Sequence, residues 1–250
     1  IFSALAAAFI WDWITWHFGL PSSSSHALIA GLAGAGWAKG GLGVLMPAGL
    51  TRVATFIVVS PVVGFLLGVL FMVVALHSVK RATPASVDHI FRRMQLVSAA
   101  AYSLGHGTND AQKTMGIIAV ALFSNGYMGD KFYVPFWVVI ICHAAIALGT
   151  YSGGWRIVRT MGIGLTALQP IGGFCAETAG AIALIGSATL GIPVSTTHTI
   201  TGAIVGVGST RRLSAVRWGV ARNVVWAWVL TIPCTAVIAA LLYVSVGWAF

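Results

Sequence analysis

Two short runs of this sequence carry hydroxyl groups and a histidine at the same spacing: Gly19-Leu20-Pro21-Ser22-Ser23-Ser24-Ser25-His26 and Gly191-Ile192-Pro193-Val194-Ser195-Thr196-Thr197-His198. They align without a gap, and the likeness continues in Gly34 and Gly36 against Gly206 and Gly208. In each run the Pro stops an incoming helix, and the Ser/Thr residues supply N-cap hydroxyls for an outgoing one. The start of that outgoing helix offers free N–H groups, a positive dipole end and several hydroxyls in one small space, which suits an oxyanion. A kink stabilised by Ser and Thr is the plain alternative for either run alone. His26 and His198 occupy equivalent places, where each could donate to an anion, titrate near neutrality, cap the arm or bond to a neighbouring helix.

A third group lies at Leu104-Gly105-His106-Gly107-Thr108-Asn109-Asp110-Ala111-Gln112-Lys113-Thr114, inside the otherwise apolar stretch Met94–Phe123. Its two glycines permit an unwound turn. Thr108, Asn109 and the freed carbonyls would offer oxygen ligands, and Asp110 a carboxylate. A charge at mid-membrane is expensive and so marks a functional candidate. The alternative is an Asp110–Lys113 pair one helical turn apart, acting as internal glue; Gln112 and Lys113 are further candidates. The chain has five acidic residues. Asp12, Asp88 and Asp130 read as lying in or near connectors or apolar ends, whereas Glu177 stands in Gly173-Phe174-Cys175-Ala176-Glu177-Thr178-Ala179, in the incoming arm of the second run. There it would be protonated, hold a cation, or bond to a backbone group. Carboxylates beside an anion site repel the anion unless each carries a proton or an alkali cation. This chemistry points to ordered binding, cation first and anion second.

The elements that position these groups are membrane helices. The hydrophobic fraction is 58 % and the charged fraction 8 %, with a mean hydropathy of +0.92, where a soluble domain carries about a quarter charged residues. Leu50–His77, Phe132–Tyr151 and Ala221–Gly247 are each long enough to cross a bilayer, and such stretches are too many and too spread out for a signal peptide. The net charge of +9 does not argue for nucleic acid, because the basic residues gather in connectors. These are Lys80 and Arg81 with Arg92 and Arg93, then Arg156 and Arg159, then Arg211, Arg212, Arg217 and Arg222, the pattern of cytoplasmic loops. Cys142, Cys175 and Cys234 sit in apolar segments without paired spacing and read as small core residues, not as disulfides or metal ligands. Neither a metal site nor a cofactor is expected.

With the basic connectors inside, Leu50–His77 runs inward, Met94–Phe123 outward and Phe132–Tyr151 inward again. Met161–Thr210 must then go in and come back, and the last span runs outward. Ile1–Ala38 is a second there-and-back unit, entered from the other face. The expected fold is therefore all-α: a polytopic helix bundle with inverted repeats and two re-entrant hairpins, at 1–38 and 161–210, with a broken helix at 94–123. Helix surfaces such as Gly31-x-x-Gly34 could pack within the protein or between the subunits of a homodimer.

At Gly105–Thr114 and Gly191–His198 the sequence resembles the PiT family of inorganic phosphate transporters, especially the bacterial low-affinity type; Gly19–His26 and the Glu177 arm also fit. The resemblance covers the whole chain. It implies a non-enzymatic secondary transporter in the plasma (inner) membrane that imports phosphate by symport with H⁺ or Na⁺. In bacterial members neutral metal-phosphate complexes are candidate cargo. It implies phosphate or ion binding by Ser23, Ser24, Ser25, Ser195, Thr196, Thr197, Thr108, Asn109 and Asp110, with Glu177 as a further coupling residue. Family members carry a Gly-x-Asn-Asp segment before each hairpin, and here only the second is present. The first would fall about 60 residues before Ile1, so the chain, which opens on Ile1 rather than Met, reads as part of a longer protein.

Three rival readings remain at this level. A sulfate permease shares the architecture and the donor chemistry. A Ser/His/Asp intramembrane hydrolase is disfavoured by hydroxyls placed in helix tips and by the lack of a Gly-x-Ser-x-Gly elbow. A passive channel would show no ion coupling.

Overall fold

The computed structural model describes residues 1–192 and 194–249, with side chains through residue 246. Pro193 of the second hydroxyl run therefore lies outside the described residues. The elements follow as α1 (Phe2–His17), α2 (Ser24–Gly40), α3 (Pro47–Ser78), α4 (Pro84–Ser124), α5 (Phe136–Gly153), α6 (Trp155–Arg159), α7 (Pro170–Thr189), α8 (Thr196–Arg211) and α9 (Trp218–Ala249). Short 3₁₀ turns at Leu42–Val44 and Leu213–Ala215 precede α3 and α9. No strand occurs among the described residues. Among them, α3, α5, α7 and most of α9 are long and apolar enough to cross a membrane.

The two there-and-back units are helical hairpins, α1–α2 and α7–α8. Helices α1, α2 and α8 contain 16, 17 and 16 residues. At 1.5 Å per residue they reach about 25 Å, short of a hydrocarbon core of roughly 30 Å. The element order helix, helix, 3₁₀ turn, long helix occurs twice, and the helix-internal Pro61 of α3 and Pro233 of α9 fall at equivalent places in the two copies. The long helix of each copy packs along the outgoing arm of the other, α3 on α8 and α9 on α2. These contacts are backbone-close. Gly64 and Gly68 of α3 lie against the main chain of Thr199 and Ala203, and Gly34 of α2 lies against that of Ala236. Lipid tails are as apolar as Leu, so such helices associate through tight packing of small residues.

Around the second hairpin the buried centre contains Met72, Phe91, Leu165, Cys175, Ala176 and Val207. The cysteines are free, with Cys142 and Cys175 buried.

Three expectations are corrected. The stretch 94–123 is not a broken helix: α4 is continuous for 41 residues. Gly105 faces the side chains of Leu184 and Ile185 on α7, so this glycine provides closeness rather than an unwound turn. Continuity also keeps every interior backbone group paired, which the bilayer demands. At about 62 Å, α4 exceeds the hydrocarbon thickness, and its first turns carry the exposed Asp88–Arg92 pair (2.9 Å). The incoming arm of the second hairpin begins at Pro170 rather than Met161, because Thr160–Leu165 forms a wide π-type turn that extends α6. Asp12 is not in a connector; it lies inside α1, half-buried.

Candidate functional site at the hairpin tips

The two tips are built by the same local bonds. Gly19 and Gly191 adopt φ of +64° and +63°, the left-handed region where glycine carries no Cβ penalty. Gly19 N–H donates to Trp16 O (2.9 Å) and Leu20 N–H to Thr15 O (2.8 Å); Gly191 N–H donates to Ala188 O (3.2 Å) and Ile192 N–H to Ser187 O (2.9 Å). After each turn a serine caps the next arm. Ser23 Oγ accepts from His26 N–H (3.4 Å) and Ser195 Oγ from His198 N–H (3.3 Å). The carbonyl of each glycine is also held from outside, Gly19 O by the Thr160 hydroxyl (2.7 Å) and Gly191 O by Arg52 (3.2 Å).

The tips meet. The Thr197 hydroxyl donates to Ser22 O (3.0 Å). The buried His26 and His198 rings pack edge to face at 4.9 Å, and His198 stacks on Trp228 at 3.8 Å. Trp228 Nε1 donates to Pro21 O (3.0 Å), while Ser22 and Trp11 Nε1 both bond to the Thr231 hydroxyl (2.9 and 3.0 Å). His198 Nδ1 lies 3.3 Å from Ile57 O, and its Nε2 is buried without a partner among the described residues.

Helix α4 joins both tips through one face, on which His106, Asp110 and Lys113 fall at neighbouring turns. Asp110 Oδ2 accepts from the Thr196 hydroxyl (3.1 Å), the first residue of α8. Its Oδ1 lies 3.4 Å from Lys113 Nζ. Lys113 Nζ in turn donates to Ser25 Oγ of the first tip and to Val194 O of the second (3.2 Å). His106 Nδ1 stands 3.6 Å from Asp110 Oδ2, beyond hydrogen-bond reach, and its ring stacks on Tyr102 at 5.9 Å. The Asp110–Lys113 pair foreseen as glue is thus present, but within a network that spans both hairpins. This arrangement gathers an ammonium, two helix starts and several hydroxyls around a single carboxylate, so it can receive an anion together with a small cation or a proton.

Other candidates lie elsewhere or have local partners. Asn109 is buried and clamps helices together, its amide donating to Gly105 O (2.8 Å) and Leu184 O (3.2 Å). Thr108 bonds back to Leu104 O (2.7 Å) within α4; Gln112 and Ser24 are exposed. Glu177 accepts from Ser98 Oγ (2.6 Å) and Gln95 Nε2 (3.3 Å) on α4. Ser98 precedes Asp110 by twelve residues, about 18 Å along a helix axis, so the structure does not join Glu177 to the tip cluster. Sequence reasoning missed Asp12, a half-buried carboxylate inside α1. Its signal was a lone carboxylate in an apolar arm. No group of three or more His, Cys, Asp or Glu residues placed to hold a metal occurs among the described residues.

Hairpins whose capped tips converge on a polar centre, set among helices long and apolar enough to cross a membrane, define a multi-pass membrane protein built for transport rather than for bond-breaking chemistry. The chain belongs to the phosphate transporter family, whose model matches residues 1–239. It is similar to a probable low-affinity inorganic phosphate transporter of Rhizobium meliloti, 62% identical over 97% of this chain and 73% of that protein. A counterpart from Bacillus subtilis is 40% identical over the same shares. A solved structure described as the sodium-dependent phosphate transporter shares the fold, with a TM-score of 0.85 over 99% of this chain and 79% of that one, at 24% sequence identity.

Proposed function

We propose that this protein imports inorganic phosphate across the plasma (inner) membrane by symport, and that the phosphate is held between the two hairpin tips. The observation that carries the reading is the Asp110–Lys113 pair shared by Thr196 of one tip and Ser25 of the other. Lys113 and the N-terminal ends of α2 and α8 attract an anion. Asp110 repels it until its charge is cancelled by a proton or Na⁺, with the adjacent Asn109 as a further oxygen donor. That charge balance makes co-binding favourable and phosphate binding alone unfavourable. A neutral metal-phosphate complex would meet the same requirement with its own cation. Ser23, Ser24, Ser195 and Thr197 complete the donor set, and His26 and His198 back it. Glu177, bound to Ser98 and Gln95 away from the tips, acts on α4 rather than on the ligand.

We further read the duplicated hairpins as inverted repeats entered from opposite faces, on the strength of the basic connectors; rocking one copy against the other would expose the central site alternately. The test is radiolabelled phosphate uptake into proteoliposomes under an imposed pH or Na⁺ gradient, with excess unlabelled sulfate as competitor. The expected result is gradient-driven uptake indifferent to sulfate and reduced roughly 100-fold by Asp110→Asn, a change of about 2.7 kcal/mol. Uptake that proceeds without a gradient, or that survives the substitution, would overturn the reading.

A further inference from the structure

A cavity of about 360 Å³ opens at the base of the second hairpin, where the beginning of α7 meets the end of α8. Its floor contains Thr166 and Gly208, both buried. Arg211, Arg212 and Arg217 line it as well. The polypeptide around the floor is fixed: the Thr166 hydroxyl donates to Ala215 O (3.1 Å), and Arg217 N–H donates to Leu165 O (2.9 Å). The guanidiniums, by contrast, have no acidic partner among the described residues. Among those residues Arg211 donates only to the neutral amide oxygen of Gln169 (2.7 Å), and the ion pairs all lie on α4.

The first copy of the repeat provides an internal control. At the positions equivalent to Ser214 and Arg217 it carries Leu42 and Leu45, opposite Arg212 it has Gly40, and opposite Arg211 it has Lys39, an ammonium rather than a fork. Both copies fold into the same helix, 3₁₀ turn and long helix. The fold therefore does not require arginines here, and only one of the two copies concentrates them around a cavity. Topology alone asks for positive charge at this end, but it asks neither for guanidinium forks nor for a polar floor beneath them. Forked donors match phosphate oxygens in a way that an ammonium cannot. The volume is that of a small-ligand pocket, typically about 300–1,000 Å³, larger than one phosphate ion needs.

We propose that this cavity is a second anion site, distinct from the hairpin tips, that takes a phosphate group through Arg211, Arg212 and Arg217. Two sources present that group: free phosphate in the adjoining aqueous phase, and the headgroup of an anionic phospholipid lying along the helices.

The test uses the full-length protein, purified and delipidated in detergent. One arm measures binding of radiolabelled inorganic phosphate by equilibrium dialysis; the other measures retention of phosphatidylglycerol against phosphatidylcholine by native mass spectrometry. Arg211→Lys combined with Arg217→Lys keeps the charge, and with it the topology, but removes the forks. Ser214→Leu installs the side chain of the first copy at the cavity wall. Both arms are run without a coupling cation, a condition under which Asp110 keeps phosphate from the tips. The expected result is binding about tenfold weaker in the double Lys variant and in Ser214→Leu. Weakening in the phosphate arm assigns free phosphate, and weakening in the lipid arm assigns the headgroup. Equal binding by wild type and both cavity variants in both arms overturns the proposal. Because uptake is not the readout, that failure is separable from failure of the transport reading.

Discussion

The two hairpins share a tip but not an environment. Each ends in a left-handed glycine, a pair of closing backbone bonds and a serine cap. Yet the incoming arm of the second, α7, is packed along α4, clamped by Asn109 at Leu184 O and tied through Glu177 to Ser98 and Gln95. The incoming arm of the first, α1, packs on α2 and α9, and only its last turn is tied to α5 and α6, by Trp16 Nε1 to Gly153 O (2.7 Å) and Arg156 to His17 O (2.9 Å). It leaves Phe2, Phe9 and Trp13 exposed. Tip geometry is thus set locally, by Gly and a Ser cap at fixed spacing. What surrounds a tip is set by distant segments, and these differ. In the proposed function the shared part supplies the two matching halves of the anion site, and the unshared part brings the carboxylate and the lysine from α4.

If the swapped packing of the two copies is equivalent, breaking it in either place must be comparably severe. Gly64→Leu on α3 and Gly34→Leu on α2 each drive a side chain into the backbone of the facing helix, at a cost of about 3 kcal/mol or more. Loss of monodisperse protein in size-exclusion chromatography is expected for both; tolerance of one alone would break the equivalence.

The difference between the arms is sharpened at Glu177, whose equivalent in the first copy is Leu5. Glu177→Ala strands Ser98 and Gln95 and should destabilise by about 2–3 kcal/mol, seen as a lower melting temperature. Glu177→Gln should recover part of the loss, since its amide oxygen still accepts. Leu5→Ala, on an arm where this side chain has no polar partner to strand, should cost less than about 1 kcal/mol.

Smaller than the effects of packing and of Glu177 is that of the caps. Ser23→Ala and Ser195→Ala each remove one N-cap acceptor, worth about 1 kcal/mol. Nearly equal shifts in melting temperature would support local determination of both tips. A shift at Ser195 alone would mean that α4 and α7, not the cap, hold the second tip.

This contrast also explains what the sequence could reveal. The tips were legible because their determinants lie within eight consecutive residues, and the spans because apolar runs declare themselves. The unbroken course of α4 was not legible. Gly105 and Gly107 permit unwinding in isolation, and only the position of Leu184 and Ile185 shows that Gly105 serves close packing. Glu177 could be flagged as a carboxylate in an apolar arm, but its partners lie some 80 residues away. The reach of Lys113 across to Ser25 and Val194 was equally hidden, because no local spacing encodes it. Asp12 was overlooked because its counterpart in the second copy is Leu184, so the repeat gave it no echo.

The central claim is that both tips hold one phosphate through the Asp110–Lys113 link. The most direct measurement is the phosphate affinity of purified wild type, Ser25→Ala, Thr196→Ala and the double variant, under saturating coupling cation. The account predicts that each single change weakens binding by about tenfold and that the double falls short of additivity by about 1 kcal/mol or more, as expected for residues in one network. Affinity unchanged by one of the single variants, or strict additivity of the two, would contradict it.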